Sequence, residues 1–138
     1  MAPKSLVGTW KLVSWQVIVQ GRPRELFGSQ PKGFLILTRG GRLMVITTAQ
    51  DRIGGFSDAD ATALHKSMLA YTGRYRIEGD ELITTVDVSW NEVWNGTEQR
   101  RRFRNDGNRL FIEAAPGPSP FFPGSTDFRR LEWDREQE

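Results

Sequence analysis

One arginine and its neighbours carry the clearest potential for chemistry in this chain. Arg101 belongs to the basic run Arg100-Arg101-Arg102-Phe103-Arg104. A guanidinium inside a protein is costly unless it is paired, so an inward-facing Arg101 indicates an anchor for an anionic or carbonyl-bearing ligand. A register shifted by one residue would instead place Arg101 among exposed charges. The side chains expected to assist this anchor are Gln99, Thr84, Tyr75 and Tyr71.

A second candidate is the single histidine, His65, whose side chain titrates near neutral pH and can act as a general acid or base. Together with Tyr75 it defines the alternative function, a cofactor-free isomerase, cyclase or hydrolase. The carboxylates that could assist it, Asp87 and Glu98, lie on the predicted outer face, which argues against an enzyme. A surface or packing role is the other interpretation of a lone histidine.

The composition excludes several classes of site. With no cysteine, the chain has no disulfide, thiolate metal site or cysteine nucleophile. One histidine excludes a multi-histidine metal centre, and we predict neither a metal nor a cofactor. The 138 residues suffice for one domain with its own core, spanning residues 1–138. Because no run approaches the ~20 apolar residues of a membrane span and the first residues lack the apolar segment of a secretory signal, we expect a soluble, cytoplasmic domain without membrane insertion.

The charge distribution argues against nucleic-acid binding. The formal net charge is only +2, from 19 basic and 17 acidic residues, whereas a nucleic-acid site needs a concentrated basic patch. Side chains alternate along a strand, so only Arg100, Arg102 and Arg104 share a face, with Glu113 beside the first of them. We therefore expect no nucleic-acid partner.

Short alternating or β-branched segments separated by turn residues predict strands rather than helices. One helix fits, at about Asp58–Ala70, with Ser57 as its N-cap and Asp60 three residues later. Eight strands in series favour an all-β fold, an up-and-down antiparallel barrel with this helix between the third and fourth strands. The predicted strands are Thr9–Val19, Phe34–Thr38, Arg42–Ala49, Tyr71–Ile77, Glu81–Trp90, Asn95–Arg104, Arg109–Ala114 and Thr126–Trp133.

Loop lengths distinguish the two ends of such a barrel. Successive connections of a meander alternate between the ends, so the tight turns Arg39-Gly40-Gly41, Glu78-Gly79-Asp80 and Asn105-Asp106-Gly107 fall at one end. The other end carries the loop 20–32, the helix, the loop 91–93 and the proline-rich loop 115–125. The sequence therefore predicts a cup that is closed at one end and covered by the helix at the other.

Hairpin register predicts the lining of this cup. A two-residue turn at Gly79-Asp80 pairs Tyr75 with Thr84, and one at Asp106-Gly107 pairs Arg101 with Ile112. The interior positions are then Tyr71, Tyr75, Leu82, Val86, Trp90, Gln99, Arg101, Phe103 and Ile112, while Arg74, Arg76, Glu98, Arg100, Arg102 and Arg104 face water. Aromatic residues at the covered end suit a flat or apolar ligand, although they could equally be loop residues that pack down to close the domain. They are Trp90, Trp94, Phe121 and Phe122.

Three segments together resemble a known family. They are Leu6-Val7-Gly8-Thr9-Trp10 with its Gly-x-Trp motif, Ala70-Tyr71-Thr72-Gly73-Arg74-Tyr75, and Trp94-Asn95-Gly96-Thr97-Glu98-Gln99-Arg100-Arg101-Arg102-Phe103. The chain resembles the lipocalin-like domain family of small bacterial and fungal proteins over nearly its whole length. This resemblance implies a calycin-type barrel with a small-molecule cavity and, for some relatives, a place in secondary metabolism. It also implies that an arginine of the last strand, Arg129 or Arg130, covers Trp10 at the closed end.

Apolar residues on the predicted outer face indicate a protein partner. If Trp10 and Leu12 face inward, Val13, Trp15 and Val17 face outward, beside a second and third strand that are apolar on both faces. Such a band over the first three strands predicts a homodimer as its simplest occupant, unless a bulge in the first strand switches its faces.

These observations predict a binding module, a carrier or sensor, that holds a small, mainly apolar or aromatic molecule inside a barrel. The predicted ligand-binding residues are Arg101, Gln99, Tyr75, Tyr71, Thr84, Trp90, Trp94, His65 and Phe103.

Overall fold

Ten antiparallel strands form one sheet in the computed structural model, which describes residues 5–115, 117–118, 124 and 126–137. Eight of these strands follow one another around the sheet, and the first pairs with the last to close a barrel. The predicted all-β barrel of about eight strands, with one α-helix in the connection after the third, is confirmed. Phe121 and Phe122, predicted at the end of the barrel that carries the helix (the open end), lie outside the described residues.

The strand bounds agree with the prediction to within a few residues. Two short strands, Arg22–Arg24 and Gly117–Pro118, extend the sheet beside the first and last long strands. In chain order the elements are β1 (Gly8–Val19), β2 (Arg22–Arg24), β3 (Lys32–Leu37), β4 (Arg42–Thr48), α1 (Asp58–Lys66), β5 (Met68–Glu78), β6 (Glu81–Ser89), a 3₁₀ turn (Glu92–Trp94), β7 (Glu98–Asn105), β8 (Arg109–Ala114), β9 (Gly117–Pro118) and β10 (Thr126–Arg135).

The helix α1 begins as predicted and ends four residues earlier. The Ser57 hydroxyl accepts the backbone N–H of Asp60, and the Asp60 carboxylate accepts the backbone N–H of Ser57, which completes the expected capping box. The predicted end at Ala70 is wrong because residues 68–70 already pair with β4 as the start of β5. No side chain of α1 is buried, so the helix lies on the barrel rather than in its core.

Arg135 connects the backbone segments that meet at the closed end of the barrel. Its guanidinium lies 4.1 Å from the centre of the Trp10 ring and donates hydrogen bonds to the carbonyl oxygens of Ser5, Val7 and Gly107. The expectation that Arg129 or Arg130 would cover Trp10 is wrong, because β10 runs on to Arg135, which pairs directly with Trp10.

A bulge in β1 decides which of its side chains enter the core. The register with β10 shifts between Leu12 and Ser14, so the strand changes faces there. Trp15 and Val17, expected on the outside, are instead 1% and 0% exposed. An outer apolar surface remains on β3 and β4, where Phe34, Ile36, Met44 and Ile46 are exposed. The homodimer stays a prediction, confined to that face.

The two hairpins that set the interior differ in how well they follow the predicted register. In β5–β6, Tyr75 pairs with Thr84 as expected. In β7–β8, Arg101 pairs with Ala114 instead of Ile112, because Asn105 and Asp106 each accept a backbone N–H within the turn and move it along the chain. This shift is two residues, so every side chain of β7 keeps its predicted face. The arginines predicted to face water are exposed.

Candidate functional site

A cavity lies inside the barrel between the buried core and the open end. Its volume is about 50 Å³, which is small beside the ~300–1,000 Å³ of pockets that hold drug-sized ligands. Most of its wall is aliphatic or aromatic. The lining side chains are Trp15, Leu35, Leu43, Val45, Leu69, Tyr71, Leu82, Thr84, Trp94, Arg101, Ile112, Arg129, Leu131 and Trp133.

Two guanidinium groups reach this cavity from strands on either side of β8. Arg101 of β7 pairs with Ala114. Since Arg130 pairs with Glu113 in the β8–β10 ladder, the same register continued by one residue places Arg129 opposite Ala114 as well. Two strand spacings separate the two arginine backbones by about 10 Å, and the small residue Ala114 lies between them in the ladder. Both side chains can therefore reach one small anion.

Arg101 is held by neutral groups of its own strand. Its guanidinium donates to the carbonyl of Arg100 at 2.9 Å and to the side-chain oxygen of Gln99 at 2.8 Å. The Gln99 amide donates to the Thr97 hydroxyl at 2.8 Å, which donates to the Trp94 carbonyl at 2.6 Å. These hydrogen bonds connect Arg101 to the 3₁₀ turn. Among the described residues, no carboxylate lies within ion-pair distance of Arg101.

Arg129 is half-buried, and its guanidinium makes no hydrogen bond or ion pair with any residue that the structure describes. Its guanidinium lies 6.0 Å from the centre of the Trp94 ring. Burial and then the nearby charge of Arg101 lower the pKa of Arg129 to about 10, although the carboxylate of Asp127 acts in the opposite direction. The fold therefore keeps a guanidinium in the cavity wall against an electrostatic cost.

The remaining polar side chains of the wall include those of Trp133, Thr84 and Tyr71. The indole N–H of Trp133, which can only donate, is buried and has no acceptor among the described residues. Thr84 is buried and Tyr71 is half-buried, and their hydroxyls can donate as well as accept. Within the described part of the chain, no carboxylate lines the cavity. An acceptor-rich group is the chemical complement of this wall.

A series of aromatic rings leads from the cavity to helix α1. Ring centres lie 5.5 Å apart between Tyr71 and Trp94, 4.9 Å between Trp94 and Trp90, and 6.5 Å between Trp90 and His65. The inward orientation predicted for Trp90 is wrong, because the β5–β6 register shifts between Thr72 and Gly73 and turns the end of β6. Trp90 therefore lies on the rim and on the outer surface rather than in the cavity.

A comparison with known families bears on this geometry. The model of the lipocalin-like domain family matches residues 7–135. The chain belongs to this family. A crystal structure of an uncharacterized protein from Bacteroides eggerthii DSM 20697 is similar at 13% sequence identity, with 92% of this chain and 98% of that chain covered and a TM-score of 0.45. No curated protein matches the chain.

The structure of this lipocalin-like domain separates the predicted ligand-binding residues into groups. Arg101, Tyr71, Thr84 and Trp94 line the cavity. Gln99 stands behind Arg101 as its hydrogen-bond acceptor, and His65 and Trp90 lie at the rim. Tyr75 and Phe103 do not line it.

Tyr75 and Phe103 belong to the closed half of the lipocalin-like barrel. The Tyr75 hydroxyl donates to the carbonyl of Thr38 at 2.7 Å, and its backbone N–H bonds to Gly41 in the β3–β4 turn. Burial raises the pKa of Tyr75. Phe103 packs against the core, and its N–H bonds to Asp80 in the β5–β6 turn. Both residues support the turns at this end.

Arg129 is a charged cavity residue that the sequence analysis does not predict, as Trp15 is an aromatic one. The resemblance assigns Arg129 or Arg130 to the closed end instead. The alternation of side chains along β10 could have placed Arg129 in the interior. Leu131 and Trp133 are apolar positions at intervals of two from Arg129, and all three face the interior.

Neither a membrane-spanning helix nor a metal-binding cluster is found among the described residues. No described helix is long and apolar enough to cross a membrane. The same residues contain no group of three or more histidine, aspartate or glutamate side chains placed to hold a metal ion.

Proposed function

We propose that this lipocalin-like domain is a binding module, a carrier or sensor, that holds a small, mainly apolar or aromatic molecule in the barrel cavity. The observation that carries the proposal is the wall itself, which combines aliphatic and aromatic side chains with a few convergent polar groups at one end of a closed barrel. Ligand pockets commonly have this composition. The family's barrel supports small-molecule binding in general.

Binding requires the cavity to enlarge. An apolar cavity known to bind benzene has a volume of ~150 Å³, against the 50 Å³ present here. Trp94 is the lining side chain best placed to move, since it is half-buried and belongs to a single 3₁₀ turn between β6 and β7. Outward movement of Trp94 opens the cavity toward the rim formed by Trp90 and His65.

The enzymatic alternative receives less support from the positions of its two candidate residues. His65 is exposed on α1 at the open end, and Tyr75 is bonded to the β3–β4 turn at the closed end. A general acid and base must both reach the reacting atoms. Because the length of the barrel separates these two side chains, they cannot act on one small substrate.

A fluorescent neutral probe tests the proposal. N-phenyl-1-naphthylamine gains emission in an apolar site, so its titration into the protein should show saturable binding to a single site. Leu69→Trp places a large side chain in the cavity wall and should abolish that site. Ile77→Trp is the matched control, because Ile77 lies on the same strand but is exposed near the closed end, and it should bind the probe normally.

The two variants also separate the cavity from the outer surface. A groove outside the barrel, lined by Met44, Val88 and Trp90 among others, offers about 340 Å³ of apolar space. If the probe binds there, Leu69→Trp and Ile77→Trp will bind it equally well, which would contradict the proposal. Absence of saturable binding to the unmodified protein would contradict it too.

A further inference from the structure

We infer that the ligand of this cavity is a monoanion: an apolar or aromatic acid whose single carboxylate lies between Arg101 and Arg129. This inference rests on the proposed function and specifies its ligand class. It comes from the placement of two guanidinium groups on either side of Ala114, both facing the cavity and neither paired with a carboxylate among the described residues.

The geometry favours a planar anion with two oxygen atoms. Arg101 and Arg129 line the same cavity from strands two spacings apart, and the residue between them in the ladder, Ala114, has the small side chain of a single methyl group. A guanidinium presents a planar fork of donors that matches a carboxylate, and each oxygen of one carboxylate can accept from a different arginine. The unpartnered indole N–H of Trp133 supplies a further donor in the same wall.

The local charge favours one negative charge rather than two. Asp127 is buried, and it lies two residues before Arg129 on the same face of β10. Its carboxylate favours the charged form of Arg129, but no ion pair forms between them. Two guanidinium groups and one carboxylate leave a local charge of +1, which a monocarboxylate neutralises.

The electrostatic state of Arg129 agrees with an anionic ligand. Burial and the charge of Arg101 both lower its pKa, as expected for like charges that lack a counterion. A bound carboxylate would remove this repulsion. The aromatic and aliphatic part of the wall would then receive the apolar body of the acid.

A pair of isosteric compounds tests the charge requirement. We would measure by calorimetry the affinities of 2-naphthoate and neutral 2-naphthamide for the unmodified protein and for Arg101→Met and Arg129→Met. The unmodified protein should bind 2-naphthoate at least about tenfold more tightly, since a charged hydrogen bond is worth roughly 10- to 100-fold in affinity. Each arginine variant should lose this preference and still bind 2-naphthamide, which also shows that it is folded.

Two further variants serve as controls. Arg130→Met removes the neighbouring arginine, whose guanidinium pairs with Glu113 at 3.6 Å, and should keep the preference for 2-naphthoate. Asp127→Asn removes the local negative charge and should strengthen 2-naphthoate binding.

The outcomes separate this inference from the proposed function. Equal affinities for the two compounds in the unmodified protein, or a preference that survives in both Arg101→Met and Arg129→Met, would overturn the monoanion and leave the binding module standing. If neither compound binds while N-phenyl-1-naphthylamine does, the monoanion is overturned and the binding module stands. If none of the three compounds binds, the proposed function fails and the ligand class fails with it.

Discussion

Replacing Arg129 by methionine should make the protein more stable. In the folded state the Arg129 pKa is lowered to about 10, chiefly by burial, so its proton is held a few hundred times less tightly than on a free guanidinium. Each tenfold change in proton affinity is worth about 1.4 kcal/mol. The charged side chain therefore costs about 3 kcal/mol in the fold, or about 1 to 3 kcal/mol once screening by water at the open end is included.

The sign follows from proton binding in the two states. A base whose pKa is lower in the folded protein binds fewer protons there than in the unfolded chain, so the cost is fully present below about pH 10 and is relieved as the pH rises further. At neutral pH, Arg129→Met removes this cost and adds an apolar side chain to an apolar wall. For a chain of this length, 1 to 3 kcal/mol corresponds to a rise in Tm of roughly 3 to 9 °C.

Calorimetric melting of Arg129→Met beside Arg130→Met provides the assay. Arg130 has only a partly exposed ion pair with Glu113 to lose, so its replacement should change the free energy of unfolding by less than about 1 kcal/mol. A fall in Tm for Arg129→Met, larger than that for Arg130→Met, would refute the reasoning, because it would show that the Arg129 side chain supports the fold.

Three further predictions concern the ligand, the closed end and the helix. The affinity for 2-naphthoate should be constant from about pH 6 to about pH 9 and should fall above about pH 10 as Arg129 of the free protein loses its proton, a fall that calorimetry should not find in Arg129→Met. Arg135→Met should lower the free energy of unfolding by about 2 to 3 kcal/mol in denaturant titrations, since it removes three hydrogen bonds from a charged donor and the contact with Trp10. Ser57→Ala removes the cap of α1 and should destabilise the helix by about 1 kcal/mol, measured as faster amide exchange within α1.

The barrel could be predicted from sequence because its determinants are local. Glycine-containing turns and alternating side chains fix which segments pair and which face each residue takes. The β7–β8 turn shows how robust this is: Arg101 has a different partner from the expected one, yet it still faces inward because the shift is an even number of residues.

Bulges explain why the orientation of several side chains could not be predicted from the sequence. An extra residue in β1 turns Trp15 and Val17 into the core, and an irregularity opposite Thr72 and Gly73 moves Trp90 to the rim. At Gly73 an added Cβ would clash with the Thr85 carbonyl oxygen, so glycine is needed for the close approach of the strands. No local pattern distinguishes such a glycine from one in an ordinary strand, since the requirement comes from the neighbouring chain.

Of the two arginines in the candidate site, only Arg101 could be predicted from the sequence. Arg101 follows from alternation within one hairpin, which is a local relation. The second arginine, Arg129, depends on where the last strand ends, and the prediction ended β10 at Trp133 instead of Arg135. That error assigned the covering of Trp10 to the wrong arginine, and it left only one of the two arginines of the anion-binding site predicted.

The seam between β1 and β10 also determines when the barrel can form. It joins residues as far apart as Trp10 and Arg135, so the barrel cannot close until the chain has been synthesised as far as β10. Proteins dominated by such distant pairings fold on the order of milliseconds to seconds, and one edge of β1 stays unpaired throughout that interval. Arg135 donates hydrogen bonds to three carbonyl groups where the two strands meet. It therefore stabilises the closed barrel, in which this edge can no longer associate with other chains.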